Sequence, residues 1–418
     1  MHSKTSALLS AFALSLFLVA CGSPDSVGAC SAANCNGCCA ADGQCLGGDD
    51  NAACGASGAS CGVCAGNQAC VLKACIAPSN AIDAGGTQTD AGTADAGTTP
   101  TAIVAPNEAW TWVDFPDSQC GNGATTGIGI NPTTRSTDLL IYMQGGGACW
   151  NAFTCFTIGS ATNITTGYQA AAFATESFKS AWAVNRNMTA NPLKDMSYVY
   201  VPYCTGDVHA GDSVKTHDPG RPPVHHKGGK NIEAFLRRLK LTFPNATRVF
   251  LSGSSAGAYG SQLNYQRALD AFPAAEIHVL ADCGQMVNPA GTFLTDWTSA
   301  WNMTVPASCT GCDTDFSKYP AWLATTYPNR RFGLLAYTQD NVLRQFFGYT
   351  NAAFETETLA LMTAKYDPYP NAKYFVLAST DHVMLDNLDT LSAPGNKTLN
   401  AFVTGFVQNT SEFANVKP

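Results

Sequence analysis

The chain has 418 residues, of which 45% are hydrophobic and 13% charged, with a formal net charge of −8. That apolar content can bury a sizeable core, and the length admits one large domain with additions or a few ordinary ones. The low, mildly acidic charge excludes a nucleic-acid binder, which needs a basic stripe, and is too dispersed for an acidic disordered tail.

Residues 1–20 read as a leader. Lys4 supplies a short positive start, and the apolar run from Ala7 to Ala20 has the length of a signal-peptide core and is too short to span a bilayer. It ends Leu18-Val19-Ala20-Cys21-Gly22, which resembles the bacterial lipobox. That resemblance implies cleavage before Cys21 and lipidation of its thiol and new amine. The expectation is an exported chain held to a bacterial membrane by its N-terminal lipid. Gly22 after the cysteine fits the outer membrane. The alternative is an ordinary cleaved leader with an incidental cysteine.

Residues 21–76 form a second segment, with ten cysteines between Cys30 and Cys75. Large apolar residues are sparse, so its order must come from cross-links. An even count in an exported chain predicts five disulfides of unknown connectivity. Cys35-x-x-Cys38 and Cys61-x-x-Cys64 have zinc-like spacing, but the segment has no histidine and no metal is expected. Residues 77–105 are mostly Ala, Gly, Thr, Asp and Pro with almost no large apolar residues, a composition that predicts a solvated tether.

The remainder, 106–418, reads as one large α/β domain. Short apolar runs at Leu139–Met143, Tyr198–Pro202, Arg248–Leu251, Ile277–Ala281, Gly333–Tyr337 and Tyr374–Ala378 predict buried strands. Helical patterns at Gly229–Leu241, Ala256–Ala271 and Thr398–Val407 lie between and after them. The alternation predicts a mostly parallel sheet flanked by helices, whose ligands gather at the C-terminal strand ends.

Those ends carry the candidate chemistry. Gly253-Ser254-Ser255-Ala256-Gly257 stands between strand and helix as a nucleophile elbow, with Ser255 at its centre. Gly145-Gly146-Gly147 follows the strand Leu139–Met143 and resembles an oxyanion loop. Gly146, Gly147 and Ala256 are the candidate donors. The order Ser, Asp, His then points to Asp340 as acid and His382 as base. Asp282, at another strand end, is the rival acid. Asp381 adjoins His382 but should not face it. His209, His217, His225 and His226 cluster early in the chain; they could suggest metal, but a surface or helix-approach role is commoner.

Together these residues resemble the pectin acetylesterase family, which includes plant pectin acetylesterases and animal Notum-like carboxylesterases. Gly145-Gly146-Gly147-Ala148-Cys149 with Cys155 is similar to the family's glycine loop and its adjoining disulfide. Cys120-Gly-Asn-Gly is similar to its entry strand, Val201-Pro202-Tyr203-Cys204 to a later strand end, and Leu251-Ser-Gly-Ser-Ser255-Ala-Gly to its elbow. The resemblance implies an α/β-hydrolase-like fold, the Ser255, Asp340, His382 triad, and a structural Asp282. It also implies bridges Cys149–Cys155, Cys120–Cys204 and Cys309–Cys312, leaving Cys283 buried and unpaired. Two features depart from it. Gly147-Ala148 stands where a large aromatic is often found, with Trp150 beyond the cysteine, and Cys283 has no family partner for a bridge.

The expected activity is a cofactor-independent serine esterase removing acyl groups, acetyl foremost, from a polysaccharide or similar polymer. A lipid ester, a surface adhesion or carbohydrate-binding lipoprotein with a retired site, and a peptidase are the alternatives.

Overall fold

The computed structural model describes residues 30–76, apart from 32, 33, 36, 67 and 72, together with residues 100–418. The leader, Cys21 and most of the tether lie outside the described residues.

Eight strands form one sheet: β1 (Thr111–Phe115), β2 (Thr126–Asn131), β3 (Leu139–Met143), β4 (Ser197–Val201), β5 (Arg248–Ser254), β6 (Glu276–Asp282), β7 (Phe332–Tyr337) and β8 (Ala372–Leu377). Their spatial order is β8-β7-β6-β5-β3-β4-β2-β1. The six strands from β8 to β4 run parallel; β2 pairs antiparallel with β4, and β1 antiparallel with β2. Continuous apolar runs suit such strands, because helices cover both faces. Every residue of β3 and β4 is buried.

Seven helices matter below: α1 (Gly228–Thr242), α2 (Ala256–Leu263), α3 (Tyr265–Ala271), α4 (Phe293–Trp301), α5 (Leu343–Phe346), α6 (Asn351–Lys365) and α7 (Leu399–Gln408). On α1, Ile232, Phe235, Leu236 and Leu239 repeat at helical spacing and are buried. None of the described helices is long and apolar enough to cross a membrane.

The sequence reading differs from the fold in three places. The helix expected over Ala256–Ala271 breaks at Asn264, whose side-chain amide donates to the carbonyls of His209 and Gly260. Cys120-Gly-Asn-Gly is a turn between β1 and β2 rather than a strand, with Gly123 at φ +80°. Packing also begins earlier than the tether composition implies: Ile103 is in the core and its N–H donates to Thr242 Oγ1.

The cysteine-rich segment contains strand pieces of two or three residues and five disulfides: Cys30–Cys39, Cys35–Cys45, Cys38–Cys61, Cys54–Cys70 and Cys64–Cys75. Its connectivity is thus interleaved, which sequence alone left open. The main domain carries Cys120–Cys204, Cys149–Cys155 and Cys309–Cys312, and Cys283 is buried and unpaired.

Candidate active site

Four adjacent strands deliver the candidate residues to one sheet edge. Ser255 follows β5, Asp282 ends β6, Asp340 follows β7 and His382 follows β8.

The turn at Ser255 is tight. Its φ of 57° and ψ of −123° lie outside the conformations that a serine prefers. Surrounding contacts hold it there: its N–H donates to the Asp282 carbonyl at 2.8 Å, and its carbonyl accepts from Ala258 N–H at 2.8 Å. The glycines are obligatory. A Cβ on Gly257 would come within 1.9 Å of the Met143 carbonyl oxygen, and one on Gly253 within 2.5 Å of Gly257 itself.

Asp340 is fully buried. Its Oδ2 accepts from His382 Nδ1 at 2.7 Å, while its Oδ1 accepts from the Val342 and Leu343 N–H groups at 2.9 Å each. Those bonds hold the imidazole with Nδ1 protonated and leave Nε2 free to act as a base. Asp381 does not compete, because its carboxylate accepts from Ser379 Oγ.

Asp282 is a clamp. Its Oδ2 accepts from Ser254 Oγ at 2.7 Å and Leu385 N–H at 3.0 Å; its Oδ1 accepts from Met384 N–H at 2.8 Å. One buried carboxylate therefore ties the serine turn to the histidine loop. Burial pushes its carboxyl above the usual range, against the pull of these donors. Cys283 has φ +56° and lies with its sulfur near Asp340 and His382. Burial and the two neighbouring carboxylates raise its thiol well above the ordinary range, so it stays protonated.

The glycine loop reaches over the same edge. Gly146 (φ +143°) and Gly147 (φ +75°) adopt conformations closed to other residues, and none of Gly146, Gly147 and Ala256 donates to a described backbone carbonyl. A Cβ on Gly145 would sit 2.4 Å from the Ser254 carbonyl oxygen and 3.1 Å from Ser255 Cβ, so the loop lies directly against the serine. The Cys149–Cys155 bridge lies behind it, and the Cys149 carbonyl accepts from Trp301 Nε1 at 2.7 Å.

Beside Ser255 is a largely apolar pocket. Ala148 and Val208 form one part of its wall; Trp297 and Trp301 of α4 and Leu343 and Phe346 of α5 form another. Trp150 packs edge-on to Trp297 and Phe346 and so backs the wall from behind. Sequence reasoning missed this wall. The signal was the aromatic spacing Phe293, Trp297, Trp301, one helical face.

The early histidines lie elsewhere, in supporting positions. His209 is buried, and its Nε2 donates to the Gln144 carbonyl just before the glycine loop. It follows Val208, and both have positive φ. Asp207 holds that strained turn, accepting from Thr205 Oγ1 and the Gly211 and Gly228 N–H groups. His226 Nδ1 donates to the Thr205 carbonyl, so its Nε2 accepts from His217 Nε2 at 2.9 Å. Burial pushes both His217 and His226 down to about 4, from 6.5. A base whose folded value is depressed leaves the unfolded chain holding more protons between those values, so stability is lost as pH falls from 6.5 toward 4. Calorimetric scans should therefore show the midpoint dropping by several degrees across that window. His217→Gln should flatten the drop; parallel curves for parent and variant would assign the acid lability elsewhere.

Residues 111–317 match the Pectinacetylesterase family model. This stretch contains the glycine loop and Ser255 and ends before Asp340 and His382. Curated relatives include Palmitoleoyl-protein carboxylesterase notum2 of Xenopus laevis, 28% identical over 150 residues, which are 35% of this chain and 29% of that protein. Palmitoleoyl-protein carboxylesterase NOTUM of Homo sapiens is 24% identical over 212 residues, 46% of this chain and 42% of its own length. The chain thus spans well under half the length of these relatives. The glycine loop, the elbow and the sheet that carries them agree with the family match: the main domain belongs to the pectinacetylesterase family, with Notum-type proteins among its relatives.

Proposed function

We propose that the protein is an exported serine carboxylesterase. The observation that carries this reading is the 2.7 Å Asp340–His382 hydrogen bond at the same sheet edge as the strained Ser255 turn. His382 Nε2 takes the Ser255 hydroxyl proton as Oγ attacks the ester carbonyl. The N–H groups of Gly146, Gly147 and Ala256 stabilise the oxyanion, each donor typically contributing ~10²–10³ in rate. The proton then passes from His382 to the leaving alcohol, and water, activated by the same histidine, releases the acid from the acyl-enzyme. No cofactor is required.

The substrate in this reading is an acylated polymer outside the cell, a polysaccharide carrying acetyl groups. A second reading, a longer aliphatic ester, is favoured by the pocket, because Trp297, Trp301, Phe316, Leu343, Phe346 and Phe347 offer more apolar surface than a methyl group covers. Purified protein assayed on acetyl, butyryl and octanoyl aryl esters decides between them. Hydrolysis of none would remove the esterase reading; a rate peaking at octanoyl would remove acetyl as the natural group.

The disulfides fit an oxidising compartment. We assign Cys21 as the lipid anchor of an outer-membrane protein, with the cysteine-rich segment and the tether between anchor and enzyme. Cys21→Ser should release the chain from membranes, and a variant that still pellets with them like the parent would sink the assignment.

A further inference from the structure

Next to Gln144, which precedes the glycine loop, lies an open groove of about 470 Å³ that the chemistry above does not use. Its walls combine aromatic rings with acceptors. Tyr142, Phe178 and Trp182 line it together with Gln144, Glu176 and Asp386. Phe178 stacks on Tyr142 at 4.1 Å between ring centroids. Trp182 is half-buried, packs against the core and lines the groove.

The groove adjoins the site on two sides. Tyr142 Oη donates to Ser254 Oγ at 3.0 Å, and Gln144 leads directly into the glycine loop that touches Ser255. Asp386 stands shortly after His382 in the same loop. The groove therefore borders the serine turn through Tyr142 and the glycine loop through Gln144.

Its charge is one-sided. Glu176 accepts from Tyr168 Oη at 2.8 Å, Tyr200 Oη at 2.7 Å and the Phe178 N–H at 3.2 Å. Burial opposes ionisation, but these donors hold its carboxyl below the ordinary range. Asp386 is exposed. No Lys or Arg lines the groove among the described residues. Lys179, the nearest in sequence, turns its ammonium to the Ala174 carbonyl and the Phe173 ring.

We propose that this groove binds the glycan part of the substrate and selects an uncharged glycan over a uronic-acid polymer. The inference rests on the esterase reading for its use in catalysis. The binding preference follows from the groove alone. A pyranose presents C–H faces that cover an indole, and hydroxyl donors that carboxylates and the Gln144 amide can receive. A uronate at the same place brings a carboxylate toward Glu176 and Asp386. The selectivity is therefore built by repulsion as well as by contact.

Calorimetric titration of the full-length protein with xylohexaose and with hexagalacturonate tests this. Neither sugar carries an acyl group, so binding is read without turnover. At low ionic strength xylohexaose should bind about tenfold more tightly or better, a gap that salt narrows by screening. Asp386→Lys, a change at an exposed position, should bring the two within about threefold by reversing one of the repelling charges. Trp182→Ala should weaken xylohexaose about fivefold or more as the stacking face is lost. Equal or tighter binding of hexagalacturonate, no measurable xylohexaose binding, or an unchanged ratio in Asp386→Lys would overturn the proposal. Aryl acetate hydrolysis by the same preparation reports separately on the esterase reading: a protein that selects xylohexaose but leaves the ester intact has lost the catalytic assignment and kept the groove.

Discussion

Ser255→Ala should lower ester hydrolysis by roughly 10⁴–10⁶-fold and abolish labelling by a fluorophosphonate. The neighbouring hydroxyl cannot take over. Ser254 is adjacent, but its Oγ is committed between Tyr142 Oη and the Asp282 carboxylate. Ser254→Ala therefore acts on stability: it strips a donor from a buried carboxylate, a loss of about 1–3 kcal/mol. That variant should melt at lower temperature yet still label. Undiminished labelling of the Ser255 variant would remove the nucleophile assignment.

Asp340→Asn should reduce kcat by about 10⁴ with little change in KM. The magnitude follows from which atoms Asp340 already serves. Its Oδ1 receives two backbone N–H groups, from Val342 and Leu343, so in an asparagine the amide oxygen must stay on that side. The amide nitrogen is then forced toward His382 and donates to Nδ1, which must give up its own proton. The imidazole switches to the Nε2-protonated tautomer, the form that cannot accept a proton from serine. The fold should be unaffected, since the side chain keeps its shape. A variant within tenfold of the parent kcat would show that the histidine does not depend on this carboxylate. Asp282→Asn offers the contrast: it loosens the clamp and should cost stability first.

The parallel core was legible because strands buried on both faces are written as unbroken apolar runs, and β3 was placed to the residue. The tight turn at Ser255 was legible for a different reason: its glycines are demanded by steric contact at Met143 and Gly257, so the motif and the geometry are one fact. The antiparallel strands β1 and β2 escaped notice because β2 reads Thr-Gly-Ile-Gly-Ile-Asn, with glycines where a strand would place side chains. The structure explains them: a Cβ on Gly127 would strike the Val113 carbonyl, and one on Gly129 the Phe173 ring. The break at Asn264 depends on a hydrogen bond to His209, far away in sequence, which no local period records. Helix α6 was readable and went unread; Phe354, Thr358, Leu361 and Met362 mark its buried face, and Thr350 caps it. The hydrogen bonds of Asp282 were beyond sequence altogether, since they require knowing that the strand ends after β5 and β8 flank it.

That clamp has a consequence for how such a protein can change. The serine turn and the histidine loop answer to one buried anion, so they shift as a unit or come apart together. The aromatic wall of the pocket beside Ser255 is drawn from other pieces of chain, α4 and α5, and the groove's Phe178 and Trp182 from the irregular segment before β4. Side chains in those places can be exchanged without asking the reacting groups to move. The architecture separates the clamped strand ends from replaceable fittings. A lineage of such proteins could pass from one ester to another by altering α4 or the 178–182 segment alone, with Ser255, Asp340 and His382 left standing.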